Sequence, residues 1–250
     1  MTNQLSNSID DIKFIAHRGL STKYPENTLV AFQAAMQSSR VDILEIDIHK
    51  TIDDQLVVIH DPTIDRTSNG TAKIKNNTLE ELQQYDYGFW KEIKYANQKL
   101  LVLEDVLELI AQSSKGLMIE VKQPQQYLDI ENILINKLQQ WDINSDKIVI
   151  QSFNKKFIKT LYNMGVSYQL GVLIDRKKHW YKKPRFKKIS EYASFINVHQ
   201  SVVSKRFTNK AQQHNLDVYA YTVNDDYKAE KLMHYSLQGL VSDNPETLLN

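Results

Sequence analysis

No cysteine occurs among the 250 residues. That excludes disulfides, thiolate nucleophiles and thiolate metal sites, without fixing a compartment. Neither sign of charge is in excess: 31 Lys and Arg against 30 Asp and Glu leave a formal net charge of +1. No whole-protein field therefore steers the chain toward nucleic acid, and no nucleic-acid partner is expected. No apolar run approaches the roughly 20 residues that a membrane-spanning helix needs. Residues Met1 to Ser8 carry neither a basic start nor an apolar stretch, so no secretory signal is read and a cytoplasmic location is expected. Internal repeats, low-complexity tracts and a dividing linker are also missing. What remains is a globular balance, 42% hydrophobic and 24% charged, sufficient for a sizeable core.

Short β-branched runs alternate with helical patterns almost to the end of the chain. The runs are Phe14–Ala16, Ile43–Ile48, Leu117–Val121, Ile148–Ile150, Tyr168–Ile174, Phe195–Val198, Val218–Val223 and Gly239–Val241. A turn at Asp53-Asp54 followed by Leu56–Ile59 makes a hairpin out of the second run. Leu29, Phe32, Ala35 and Met36 have helical spacing, and helices are also expected around Asn132–Leu138, Lys156–Leu161 and Tyr227–Met233. Strands alternating with helices imply a parallel sheet, and eight such units in this length suit an α/β fold of the (β/α)8 TIM barrel class. An open doubly wound sheet is the alternative. Residues 62–100 break the rhythm and read as a small insertion after the second strand, within one barrel domain spanning residues 1–250.

Polar residues interrupt the ends of these apolar runs, and in a barrel the C-terminal strand ends form the active face. Glu45 and Asp47 lie two apart on one strand, so they share a face; Glu120 and Lys122 repeat the spacing on another. Three converging carboxylates repel one another unless they are protonated or share a cation. All-oxygen ligation favours Mg2+ or Ca2+, with Mn2+ also compatible, over zinc. Each acid read singly is an ordinary surface or ion-paired residue; the matched positions are what favour a metal. His17 and His60 end their runs, and histidine is the residue type best suited to an acid–base pair. Arg18 is suited to gripping a phosphate and Lys122 supplies a second compact cation. These are the parts of a phosphodiester-cleaving site. In Pro25-Glu26-Asn27-Thr28, Asn27 or Thr28 reads as the N-cap of the first helix, and a cap alone accounts for them.

The ordered segments His17-Arg18-Gly19, Pro25-Glu26-Asn27-Thr28, Glu45-Ile46-Asp47, His60-Asp61, Asp65-Arg66-Thr67, Glu120-Val121-Lys122, Gln151-Ser152-Phe153, Thr222-Val223-Asn224 and Gly239 through Asp243 to Pro245 resemble the glycerophosphodiester phosphodiesterase family. The resemblance covers nearly the whole chain. It implies a (β/α)8 barrel and metal-dependent hydrolysis of a small glycerophosphodiester to glycerol 3-phosphate and an alcohol. It further implies His17 and His60 as the acid–base pair, Glu45, Asp47 and Glu120 as metal ligands, and Arg18 and Lys122 beside the phosphate. Tyr221 stands where the family usually has Trp, and Leu101-Val102-Leu103-Glu104 where it often has Pro-Thr-Leu-Glu. Both departures bear on substrate preference and leave the catalytic groups in place.

Two alternatives use the same residues: phospholipase D-like cleavage of lysophospholipids, and a catalytically silent barrel that binds phosphodiesters. Residues 176–188 are the most unusual stretch, with eight Lys and Arg interleaved with Trp180, Tyr181 and Phe186. A solvated loop explains them; attraction of anionic substrate or transient contact with an anionic membrane surface is the functional alternative. The oligomeric state is not legible.

Overall fold

A computed structural model describes residues 12–176 and 184–249. Eight parallel strands close on themselves: β1 (Lys13–His17), β2 (Ile43–Lys50), β4 (Gly116–Val121), β5 (Ile148–Ser152), β6 (Gln169–Ile174), β7 (Phe195–His199), β8 (Asp217–Tyr221) and β9 (Gly239–Ser242). The sheet order is β1-β9-β8-β7-β6-β5-β4-β2, and pairing of β1 with β2 closes the barrel. The eight-stranded (β/α)8 expectation holds, and the open sheet is excluded. A short β3 (Leu56–Val58) runs antiparallel to the end of β2, pairing Ile48 with Val58 and Lys50 with Leu56, as the hairpin pattern requires. Among the described residues no helix is long and apolar enough to cross a membrane.

Alternation along the strands sorts side chains between two apolar bodies. Leu44, Ile46 and Ile48 of β2, and Leu117, Ile119 and Val121 of β4, face outward into the core beneath the helices. Among those helices are α1 (Leu29–Gln37), which buries Ala31, Phe32 and Ala35, and α3 (Leu103–Ala111), which buries Leu103, Val106, Leu107 and Ile110. Inside the barrel Ile15, Ile43, Met118, Val149, Phe195, Tyr219 and Val241 form a separate plug. One position in that layer must be small: Gly171 of β6 sits in register with Phe195, and a Cβ there would come within 2.0 Å of its ring. The plug closes the barrel below, so chemistry is confined to the layer above it.

Between β3 and α3 the chain builds a small cap with α2 (Leu79–Leu82) and two turns of 3-10 helix, Ile74–Asn76 and Ile93–Tyr95. Ile64, Ile74, Leu82, Tyr87 and Leu100 pack with Val57 and Ile59 as its own apolar cluster. Thr78 and Glu81 form a reciprocal capping box at the start of α2. The Asp86 carboxylate accepts from the backbone N–H groups of Gly88, Phe89 and Asn97 at 2.7, 3.0 and 2.6 Å. Lys91 Nζ reaches the Ser21 carbonyl at 3.0 Å and the Tyr95 hydroxyl reaches that of Lys23 at 3.1 Å, fastening the cap to the rim of the barrel.

Candidate active site

Two residues beyond the apolar plug, the inward face turns polar. Ile15 is followed by His17, Ile43 by Glu45 and Asp47, Met118 by Glu120 and then Lys122, and Val241 by Asp243. The two-residue period that fills the barrel therefore also raises the site at its C-terminal mouth. Glu45, Asp47 and Glu120 are all buried, and they offer oxygens within 4.8 Å of one another. Burial, reinforced by Asp47 and Glu120, pushes the Glu45 carboxyl up to about 8. Burial also opposes charge on Asp47, yet Lys122 and Arg18 outweigh it and hold that carboxyl well below the usual range.

The cations lie directly on the acids. Lys122 Nζ is 2.6 Å from Glu120 Oε1 and 3.4 Å from Asp47 Oδ1. Arg18 Nε is 2.9 Å from Asp47 Oδ2, close enough for an ion pair but not aligned as a hydrogen bond. Arg18 itself has a left-handed backbone, φ 60°, and its N–H reaches the Glu45 carbonyl at 3.0 Å and Glu45 Oε2 at 3.1 Å. Gly19 continues the left-handed turn at φ 80°, where a Cβ would lie 2.8 Å from Ala31. Such backbone is costly for a side-chain-bearing residue and is concentrated at sites where function fixes it.

Buried Asp47 Oδ1 and Glu120 Oε1 share Lys122 Nζ as a cation. Three buried carboxylates this close repel one another unless cations sit among them, and an all-oxygen group of this size fits a hard divalent ion. Among the described residues it is the one cluster with metal-ligand spacing.

Both histidines have a carboxylate on the same ring nitrogen. His17 Nδ1 is 2.6 Å from Asp243 Oδ1, and His60 Nδ1 is 2.6 Å from Asp61 Oδ1. Nε2 is thereby left for chemistry in each ring. Burial disfavours charge on His17, but the Asp243 hydrogen bond and Glu45 outweigh it and raise its pKa. Asp243 is itself held by Ser21 Oγ at 3.2 Å and Asn224 Nδ2 at 2.5 Å.

All seven residues expected from the sequence thus meet at one mouth. Three of them, His60, Glu120 and Lys122, border a cleft of about 850 Å³ whose walls also include Ser152, Phe153 and Asp175. Tyr221 sits edge-on to Phe153 with centroids 6.3 Å apart, and its hydroxyl is tied to the Ile174 carbonyl at 3.1 Å. The basic stretch is only partly in view. Lys177 to Lys183, including Trp180 and Tyr181, lie outside the described residues, while Phe186 is buried in the short helix Phe186–Ile189.

Several residues were not singled out as functional by their sequence context. Thr28 does occupy the N-cap of α1, but its hydroxyl donates to the Pro25 carbonyl rather than to the helix. Asn27, also left-handed at φ 56°, turns inward and donates to Asp47 Oδ2 at 3.1 Å. His49, two residues beyond Asp47, is fully buried. Its Nε2–H donates to the His60 carbonyl at 3.1 Å and its Nδ1 accepts from the Tyr127 hydroxyl at 2.6 Å. Burial pushes His49 down to about 4, keeping it neutral.

Comparison with known proteins is consistent along the chain. A sequence model of the glycerophosphoryl diester phosphodiesterase family matches residues 17–247. The glycerophosphodiester phosphodiesterase of Caldanaerobacter subterraneus subsp. tengcongensis is 32% identical, covering 94% of this chain and 96% of its own length. The YhdW protein of Bacillus subtilis is 32% identical with the same coverage. Among solved structures, a phosphodiesterase from Oleispira antarctica in complex with the product sn-glycerol-3-phosphate superposes with a TM-score of 0.81 at 27% identity, covering 94% of each chain.

Proposed function

We propose, for a chain that belongs to the glycerophosphoryl diester phosphodiesterase family, hydrolysis of a small glycerophosphodiester to glycerol 3-phosphate and an alcohol. The observation that carries this reading is the pairing of two carboxylate-backed histidines with a buried acid triad whose oxygens lie within 4.8 Å of one another, beside Arg18 and Lys122. The product-bound relative from Oleispira antarctica supports the choice of substrate.

Glu45, Asp47 and Glu120 would hold a divalent cation, Mg2+ or Ca2+ with Mn2+ also compatible, at the cluster they form. When bound, such an ion neutralises nonbridging phosphate charge and polarises phosphorus toward attack. Arg18 and Lys122 bind the remaining phosphate oxygens and orient the ester for in-line displacement. One histidine takes the proton of the attacking hydroxyl through Nε2. The other gives a proton to the departing alkoxide as the phosphorus–oxygen bond breaks. Asp243 and Asp61 hold the two rings through Nδ1, which leaves both Nε2 atoms for proton transfer. The attacking hydroxyl belongs to water or to the glycerol 2-position; the tethered hydroxyl has the advantage of effective concentration and gives a cyclic phosphate first.

Replacing His17 or His60 with Ala tests the assignment. Turnover should be abolished while titrated Ca2+ still binds, and near-normal activity in either variant would sink it. Glycerophosphocholine and a lysophosphatidylcholine, assayed side by side, decide the substrate. Gln123, Gln125 and Asn154 along the cleft favour the polar alcohol over an acyl chain. Contact of residues 176–188 with anionic surfaces belongs to the same proposal; it is tested by co-sedimentation with phosphatidylserine vesicles, and no binding at low salt would remove it.

A further inference from the structure

Arg66 belongs to the cap, contributes nothing to the acid cluster, and yet touches the supports of two functional residues at once. Its Nε donates to Asp61 Oδ2 at 2.6 Å, while Asp61 Oδ1 holds His60 Nδ1 at 2.6 Å. Its two terminal nitrogens grip Glu26 in a bidentate pair, each at 2.8 Å. Glu26 Oε1 in turn accepts from Arg18 at 2.9 Å. The connection is continuous: His60, Asp61, Arg66, Glu26, Arg18, Asp47. It joins four separate segments, namely the loop after β1, strand β2, the end of β3 and the start of the cap.

We propose that Arg66 is a positioning residue that locks the His60 ring and the Arg18 guanidinium into one geometry. This rests on the roles given to His60 and Arg18 above. Three features set the arrangement apart from an ordinary surface ion pair, which contributes little. The planar fork satisfies two carboxylates along fixed directions, which an ammonium cannot do. Glu26 is shared between two arginines, so its orientation is set from both sides; burial opposes its charge, but Arg66 and Arg18 prevail and hold its pKa down. Finally, a mobile Asp61 would leave His60 Nδ1 without a fixed acceptor, and an unfixed ring loses its in-line approach. Supports behind reactive groups of this kind typically change activity about 10- to 100-fold when removed.

Arg66 is nearly half exposed, so its removal leaves the barrel core intact and opens a gap that solutes can enter. The test compares the parent with Arg66→Ala and Arg66→Lys, using glycerophosphocholine with Ca2+, Mg2+ and Mn2+. For Arg66→Ala, kcat should fall about 10- to 100-fold with KM changed less than about threefold, and millimolar guanidinium chloride should restore part of the loss. Arg66→Lys should recover less than added guanidinium does. A kcat within about threefold of the parent, a loss confined to KM, or a loss that guanidinium does not lift would overturn the proposal. A second readout is independent of turnover. Nuclear magnetic resonance of the His60 Nδ1 proton and the Arg18 Nε proton should show both signals displaced in Arg66→Ala and restored by guanidinium. Unmoved signals would overturn the coupling itself. A parent without activity would instead count against the proposed function, leaving the resonance result to decide the role of Arg66.

Discussion

Replacing Asp243 with Asn should switch the tautomer of His17 and nearly silence the enzyme. Asn224 donates its Nδ2–H to Asp243 Oδ2, and cannot turn round, because its Oδ1 already accepts from Ser242 Oγ at 3.1 Å and from the Asp243 N–H at 2.9 Å. An amide placed at 243 must therefore turn its oxygen toward Asn224 and its NH2 toward His17. The opposite orientation sets two donors face to face, costing about 1–3 kcal/mol for the unmet groups. His17 Nδ1 then has to accept, so the neutral ring carries its proton on Nε2 and cannot act as a base. Loss of a positioned acid–base group costs about 10²–10⁴ in rate, and the comparable substitution behind a protease histidine falls at the upper end. The assay is kcat for glycerol 3-phosphate release, with the 15N shifts of the His17 ring nitrogens read in parallel. A kcat within about tenfold of the parent, or a ring still protonated on Nδ1, would refute the reasoning.

Other outcomes follow from the fold and the acid cluster. Gly171→Ala drives a methyl into the Phe195 ring and should cost about 1–3 kcal/mol through overpacking, read as a lower Tm; an unchanged Tm would mean the barrel plug is looser than described. Saturating divalent metal at 100 times its Kd should stabilise the fold by about 2.7 kcal/mol, raising Tm by roughly 5–10 °C, and Asp47→Asn should lose most of that rise. Asp86→Ala removes the acceptor of three backbone N–H groups and should loosen the cap by about 1–2 kcal/mol, seen as faster amide exchange over residues 86–97. Burial opposes charge on Asp86, but those N–H groups prevail and lower its pKa. Its contribution is therefore complete above the ordinary carboxylate value and is lost as pH falls through the lowered one. Acid-induced cap opening that persists unchanged in Asp86→Ala would contradict this.

The barrel is legible in the chain because each strand is an apolar run buried on both faces, and because the spacing between runs leaves room for one helix. The candidate site is legible where charged residues replace apolar ones at the two-residue period, as at Glu45, Asp47, Glu120 and Lys122. Applied to every strand, that period also reaches Asp243 beyond Val241, Gln151 beyond Val149 and His49 beyond Asp47. Of these, Asp243 and His49 support the histidines, and neither shows that role by position alone, because a single polar residue at a strand end has many explanations. Asn27 and Arg66 carry no periodic signal at all. Asn27 reads as a helix cap because the left-handed backbone that turns it onto Asp47 is a tertiary feature. Arg66 lies in a segment without regular pattern, and its partners are 5 and 40 residues away in sequence.

The central claim is tested most directly by incubating the purified chain with glycerophosphocholine and measuring glycerol 3-phosphate, with Mg2+, Ca2+ or Mn2+ present and again after chelation. Release with at least one of these ions, its loss on chelation, and no release from His17→Ala or His60→Ala is the predicted result. No product with any of the three ions, or undiminished product after chelation, would contradict the account.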